Sequence, residues 1–298
     1  MTLALSPSEG EILLAEPLAK HTTLRIGGPA EIFVVAKSAG GLAKTLRAAK
    51  SEGKPFRILG KGSNVLISDE GLPGYVAVLE GEFLEVSIDG DRLTAGGGAS
   101  LGGVCAKAGR ARLSGIEAIS GIPSSIGGAV RINAGAYGGE IFDVLESVTL
   151  LDGSGEVREK PAAEIEHGYR WTSLIESRDI VCLAAMRLRP APKEEIEART
   201  REVSEKRRGV LPPQANAGSV FKNPPGRFAG KLLEECGLKG TRQGDAEIST
   251  RHANVIVNEN RASASDVLEL MRLMRQRVLE KFSVELSPEV ELLGLPWP

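Results

Sequence analysis

Several residue types that enzymes commonly rely on are scarce in this chain, and each shortage closes a class of function. Only three cysteines occur in 298 residues, Cys105, Cys182 and Cys236, widely spaced and in no CxxC arrangement. That excludes a disulfide framework and a cysteine metal site, and it fits a reducing, cytoplasmic compartment. The three histidines, His21, His167 and His252, are equally scattered, so HExxH-type zinc chemistry is excluded and no metal is expected. Aromatic residues make up 4% of the chain, too few for a ring-lined sugar cleft or a base-stacking platform. A formal net charge of −2 argues against a polyanion binder, and nucleic acid is not an expected partner. No apolar run approaches the ~18 residues of a membrane span, and no basic segment precedes the short Ile12-Leu13-Leu14, so neither an export signal nor a membrane anchor is expected.

What the chain has in excess is glycine. It carries 36 glycines in 298 residues, where the usual ~7% would give about 21. Thirteen of them lie between Gly96 and Gly139, in runs that share no repeat: Gly96-Gly97-Gly98, then Gly121-Ile122-Pro123-Ser124-Ser125-Ile126-Gly127-Gly128-Ala129, then Asn133-Ala134-Gly135-Ala136-Tyr137-Gly138-Gly139. Glycine permits positive φ and lets a second backbone or a ligand approach without a Cβ in the way. The expectation is a large ligand lying along the main chain.

The hydrophobic pattern predicts mixed structure. Ile32-Phe33-Val34-Val35 reads as a strand, Leu42, Leu46 and Ala49 as a helix ended by Gly53, and residues 56–59 as a second strand. This βαβ-like unit delivers Gly60-Lys61-Gly62-Ser63-Asn64 at a strand end. Residues 144–157 read as a hairpin turning at Asp152-Gly153, and 180–188 as a further strand. Prolines at 189–193 mark a linker ahead of a charged helix over 194–208. Beyond it, helices are predicted at 228–236, stopped by Gly237, and at about 266–282. The second has Ser263 and Asp266 as a capping box and Val267, Leu268, Met271, Met274, Val278, Leu279 and Phe282 on one face. A strand is predicted at 253–257.

Few segments point to chemistry alone. The Gly60 to Asn64 loop is either a plain turn or an anion nest of backbone N–H groups. It is no Walker A sequence, and GxGxxG is absent from the chain, which disfavours a Rossmann dinucleotide site. Together with the glycine-rich stretch, it favours a diphosphate cofactor. Gly218-Ser219-Val220-Phe221-Lys222-Asn223-Pro224 places a hydroxyl, an ammonium and an amide within five residues; without GxSxG or a histidine partner, Ser219 is a turn residue or a proton donor rather than a nucleophile. Tyr169-Arg170 reads as a solvated strand end, Glu289 as an outward residue of an alternating segment, and Arg201, Lys206, Arg207 and Arg208 as the charged side of a helix.

Taken in order, the motifs Thr22-Thr23-Leu24-Arg25-Ile26-Gly27-Gly28-Pro29-Ala30, GKGSNVL, SGIPSSIGGAV, NAGAYGGE, HGYRW, AGSVFKNP, HANVIVN and SPEVELLG resemble the UDP-N-acetylenolpyruvoylglucosamine reductase family of peptidoglycan synthesis. The resemblance runs from about residue 21 to 294. It implies an α+β fold, with a two-part FAD-binding domain of the vanillyl-alcohol oxidase type and a smaller α+β substrate-binding domain. Subdomains are expected at 1–75 and 76–192 and the substrate domain at 193–298, with the last residues packing back on the first subdomain. It also implies non-covalent FAD, NADPH as reductant, a UDP-sugar whose enolpyruvyl ether becomes a lactyl ether, and a cytoplasmic location. Oligomeric state stays open.

Carried over residue by residue, the resemblance makes Ser219 the donor of a proton to carbon, with Arg170 and Glu289 bracketing the substrate carboxylate. Gly60, Lys61, Gly62, Ser63, Asn64, Val65 and Leu66 would hold the FAD diphosphate. Ile122, Pro123, Ser124, Ser125, Gly127, Gly128, Asn133, Gly135, Ala136 and Gly138 would lie along the isoalloxazine and ribityl chain. Tyr169, Arg207, Lys222, Asn223 and His252 would contact substrate. The chain departs from the family pattern at Ser124, where glycine is usual, at Glu291, where arginine is common, and in the short run between Arg170 and Ser219, which lacks an inserted tyrosine segment. A flavin oxidase of small alcohols or hydroxy acids is the alternative of the same fold, and a silent nucleotide-sugar binder the alternative of another class.

Overall fold

The consecutive apolar residues at 32–35 sit within a strand, Pro29–Ala36, that buries Phe33, Val34 and Ala36. Ser38 then caps the helix Ala39–Ser51, its hydroxyl accepting from the Gly41 amide at 3.2 Å, and Gly53 leaves the helix with φ 63°. In this computed structural model, which describes residues 3–297, the chain divides into two compact units, each discontinuous in sequence. The first takes the chain up to Leu14, Ile32–Lys61 and Pro73–Lys206; the second takes Ala15–Glu31, Gly62–Leu72 and the chain from Arg207 onward. The segment 1–75 thus contributes to both units, and the helix Lys193–Val210 belongs to the first as far as Lys206.

Two sheets build the first unit. One orders Gly10–Pro17, Pro29–Ala36, Leu72–Leu79 and Phe56–Ile58, the last two parallel with Phe56 opposite Tyr75. The other is antiparallel throughout and orders Val157–Pro161, Leu145–Leu151, Ile180–Arg187, Arg92–Gly96 and Val86–Asp89. Helices Leu101–Arg110 and Ile126–Arg131 bury Leu101, Val104, Ile126 and Val130 in the core of this second sheet. The hairpin at 144–157 forms, with a longer turn than Asp152-Gly153 predicts. The Asp152 carboxylate accepts from the amides of Ser154 and Glu156 at 2.8 and 3.1 Å, and the left-handed residue is Gly155, at φ 86°. An Asx-type turn has displaced the two-residue one.

The second unit is α+β. Its antiparallel sheet orders Ala215–Asn216, Ile256–Asn258, Ala246–Ile248 and Arg242–Gln243. Helices Ala229–Glu235 and Ala264–Phe282 share its core with Leu24, Ile26 and Leu66. Ser263 and Asp266 form the capping box, and the Asp69 carboxylate also accepts from the Ala264 amide at 2.9 Å. The buried face of the long helix includes Leu270 and leaves Leu279 48% exposed, one correction to the expected stripe. Glu291–Leu293 runs parallel to Val65–Ile67, with Glu291 opposite Val65. The strand expected at 253–257 begins later, at Ile256. Among the described residues no helix is long and apolar enough to cross a membrane.

Candidate functional site

In the first unit the glycine excess divides into two kinds. A Cβ on Gly96, Gly97 or Gly98 would collide with the carbonyl oxygen of Phe83, Val181 or Leu79 respectively. That run is glycine because three backbones pack against it, which corrects the expectation of a ligand at this place. Gly60 is different: a Cβ there would lie 2.7 Å from the Ser125 hydroxyl oxygen. Gly60 and Lys61 are exposed, and the loop they belong to meets the segment 122–128 at Ser125. Ser125 caps Ile126–Arg131 by accepting from the Gly128 amide at 3.2 Å, so its own O–H remains a donor. Ile122 and Ser124 are partly buried and Pro123 exposed alongside. Ser124 is not among the residues with positive φ, so a serine is accommodated there without backbone strain.

Asn133, Gly135, Ala136 and Gly138 belong to a tight hairpin that pairs Gly135–Ala136 with Gly139–Glu140 through Tyr137 and Gly138, at φ 50° and 83°. Asn133 is left-handed too, at φ 46°, and fully buried. Its Nδ2 donates to Glu140 Oε2 at 2.7 Å and to the Gly168 carbonyl at 3.2 Å. Asn133 thereby fastens this hairpin to a second one, His167–Gly168 with Trp171–Thr172, whose two-residue turn is Tyr169-Arg170. Arg170 adopts φ 55°, a conformation disfavoured for a residue with a Cβ. Its Nη2 donates to the Gly135 carbonyl at 2.7 Å, and the guanidinium lies 5.1 Å from the centre of the exposed Tyr169 ring. A strained arginine braced on a second hairpin is the kind of outlier that marks a working residue.

In the second unit the neighbourhood of Ser219 is built around Val220. The Val220 amide donates to Asn254 O at 2.8 Å, and the Val220 carbonyl accepts from the amides of Glu289 and Val290 at 2.8 and 3.3 Å. Ser219 and Glu289 are therefore held in one backbone register. The next residue, Phe221, is gripped by the Asn254 side chain, which accepts from its N–H at 3.0 Å and donates to its carbonyl at 2.8 Å. Among the described residues the Ser219 hydroxyl has no hydrogen-bond partner. The preceding Gly218 has φ 74°, and open space lies where its Cβ would be.

Other predicted site residues have internal partners. Asn64 Nδ2 donates to the Glu289 carbonyl at 2.9 Å, and Asn64 O accepts from the Glu291 amide at 2.9 Å. Val65 and Leu66 are buried in the short ladder with Glu291–Leu293, Ser63 is partly buried, and Gly62 packs on the His21 carbonyl with no room for a Cβ. The Lys222 amide donates to Ser287 O at 2.9 Å, and Asn223 Oδ1 accepts from the Ala229 amide at 3.0 Å. His252 Nδ1 accepts from the Asn254 amide at 3.2 Å. Burial, with the Lys239 ammonium, pushes its pKa below the ordinary imidazole range, so the neutral ring carries its proton on Nε2. Arg207 stands in the last turn of its helix. Sequence reasoning missed Thr23, Asn216 and Asn254 individually, although TTLRIGG, AGSVFKNP and HANVIVN hold or adjoin them.

Known proteins decide the family. Residues 212–293 match the C-terminal domain of UDP-N-acetylenolpyruvoylglucosamine reductase, and residues 30–160 match an FAD binding domain. A reductase of that name from Symbiobacterium thermophilum is 44% identical over 290 residues, covering 97% of this chain and 94% of the relative. The chain belongs to the UDP-N-acetylenolpyruvoylglucosamine reductase family. A Heliobacterium modesticaldum reductase is 41% identical, covering 99% and 94%. The crystal structure of the Thermus caldophilus reductase, MurB, superposes with TM-score 0.83 at 41% identity, covering 97% of this chain and 99% of that one. The protein is thus a reductase of peptidoglycan synthesis, an α+β FAD-dependent oxidoreductase. The meeting of Gly60 with Ser125 fits that cofactor: two glycine-bearing loops converge where a side chain would intrude, and a hydroxyl donor stands beside them.

Proposed function

We propose that Ser219, Arg170 and Glu289 carry out the reduction of the enolpyruvyl ether of UDP-N-acetylglucosamine to UDP-N-acetylmuramate, in the cytoplasm. The observation that carries this reading is the Val220 node, which fixes an uncommitted serine hydroxyl and a glutamate in one register. When bound, FAD would supply hydride chemistry for the terminal vinyl carbon. Ser219 Oγ then gives its proton to the carbon beside the carboxylate, and a hydroxyl of ordinary acidity suffices because that carbon is strongly basic. Arg170, braced by the Gly135 carbonyl, offers a fixed cation to the charge that develops on the substrate carboxylate, and fixed charge costs no reorganisation during the reaction. Glu289 would bracket the same carboxylate group. Residues 60–66, 122–128 and 133–138 hold the cofactor; Tyr169, Arg207, Lys222, Asn223 and His252 receive the UDP-sugar. In this reading the flavin domain covers 1–75 and 76–192, and the substrate domain 193–298.

The test separates the two half-reactions. Ser219→Ala should bleach bound flavin with NADPH at the wild-type rate yet fail to make product from the enolpyruvyl UDP-sugar. Normal turnover by that variant would remove Ser219 from the mechanism. A purified protein that shows no flavin absorbance after mixing with FAD would remove the cofactor as well.

A further inference from the structure

Two side chains tie the loop at 62–64 to the segments that carry Ser219 and Glu289. Thr23 Oγ1 lies 2.7 Å from the Asn216 carbonyl and 3.4 Å from the Gly62 carbonyl. A hydroxyl has one proton to donate, and the shorter distance directs it to Asn216, because the Thr23 amide already donates to Gly62 O at 3.0 Å. Thr23 therefore holds Gly62 with its backbone and Asn216 with its side chain. Asn216 in turn accepts at Oδ1 from the Gly218 amide at 2.9 Å, directly before Ser219. On the other side, Asn64 donates to the Glu289 carbonyl and accepts from the Glu291 amide, both at 2.9 Å. One three-residue loop is thus linked through Thr23 to the serine and through Asn64 to the glutamate.

We infer that Thr23 and Asn64 are positioning residues that transmit the order of the cofactor loop to Ser219 and Glu289, so that the proton-donating apparatus assembles fully when the flavin diphosphate is held. The inference rests on the proposed role of residues 60–66 in holding that diphosphate. A mobile Gly62–Asn64 loop leaves the Asn216 and Glu289 carbonyls tied to a moving support, and an ordered loop fixes both. The coupling runs through hydrogen bonds that each contribute modestly, so its size is that of one or two such bonds.

Hydrogen exchange of the FAD-free chain, before and after saturation with FAD, reads the coupling without reference to turnover. Flavin should slow exchange at 62–66 and also at 216–220 and 289–291. Thr23→Val should keep the slowing at 62–66 and 289–291 and lose it at 216–220. Asn64→Ala at saturating FAD should weaken it at 289–291, where only the backbone bond from the Glu291 amide remains, and keep it at 216–220, while Thr23→Ser should restore the full pattern. In stopped flow, Thr23→Val should reduce its flavin with NADPH at the wild-type rate and react with the enolpyruvyl sugar about five- to tenfold more slowly, the size of one lost hydrogen bond. Slowing confined to 62–66 in the wild type would overturn the inference even if no variant folded. So would undiminished slowing at 216–220 in Thr23→Val. No slowing at 62–66 at all would overturn the diphosphate reading and this inference with it.

Discussion

Replacing Asn254 by alanine removes the hydrogen-bond partners of both the N–H and the C=O of Phe221, a buried residue. Asn254 is 3% exposed and Phe221 1%. The amide side chain accepts from Phe221 N–H at 3.0 Å and donates to Phe221 C=O at 2.8 Å. Each buried polar group left unsatisfied costs about 1–3 kcal/mol, so the two left by Asn254→Ala should destabilise the protein by about 2–6 kcal/mol. Urea unfolding of the FAD-saturated protein, followed by circular dichroism, measures it as a lower midpoint at unchanged slope. Asn254→Asp sharpens the test. It keeps an acceptor for the Phe221 amide but sets a carboxylate oxygen against the Phe221 carbonyl. Its deficit should be at least as large near neutrality and should shrink as pH falls and the carboxyl gains a proton to donate. A loss below about 1 kcal/mol for Asn254→Ala, or a pH-independent Asn254→Asp deficit, would show that Asn254 does not hold the segment that follows Ser219.

Other perturbations follow from the same structure. Arg170→Asn replaces a strained residue by one that tolerates positive φ, so stability should stay within about 1 kcal/mol of the wild type while turnover falls by about a hundredfold or more; retained turnover would contradict the role given to Arg170. Hydrogen bonds from Ser154 and Glu156 lower the Asp152 carboxyl from its ordinary 3.8 to about 2. Its contribution to stability is therefore present above the ordinary value and lost as pH falls toward 2. Asp152→Asn should lower stability near neutrality and narrow its gap to the wild type over that acid range, read from acid unfolding curves; a constant gap would be the wrong sign of dependence. Burial pushes the Cys105 and Cys182 thiols up to about 12, so iodoacetamide at pH 8 should label the less buried Cys236 well before either, and mass spectrometry of tryptic peptides would reveal the opposite order.

Much of the fold was legible because its signals are local. The capping box of Ser263 and Asp266, the stop at Gly53 and the strand around Phe33 depend on residues close in sequence, and the structure has them. The glycines were legible as a concentration and misleading as a cause. Gly96 to Gly98 yield to the carbonyls of Phe83, Val181 and Leu79, and nothing in a linear pattern tells a backbone from a ligand as the reason for a missing Cβ. The same ambiguity attends the amides. The sequence motifs make Asn64, Asn133 and Asn223 ligand contacts, yet each side chain also satisfies a backbone group in its own unit. Thr23 and Asn254 were invisible singly because their partners, Asn216 and Phe221, are far along the chain.

The pairing of Glu291–Leu293 with Val65–Ile67 has a consequence for how this protein is made. The strand that completes the second unit is synthesised more than 200 residues after its partner. Leu24, Ile26 and Leu66 wait in the nascent polypeptide for a core whose remaining residues come from beyond Arg207. A fragment cut at the matched C-terminal domain, 212–293, would lack those three residues and the ladder alike, and long-range closure of this kind is slow. On the ribosome, the clamp between Asn64 and Glu289 therefore closes only after residue 289 has been made, so the loop at 62–64 and the segment carrying Glu289 reach their final form together.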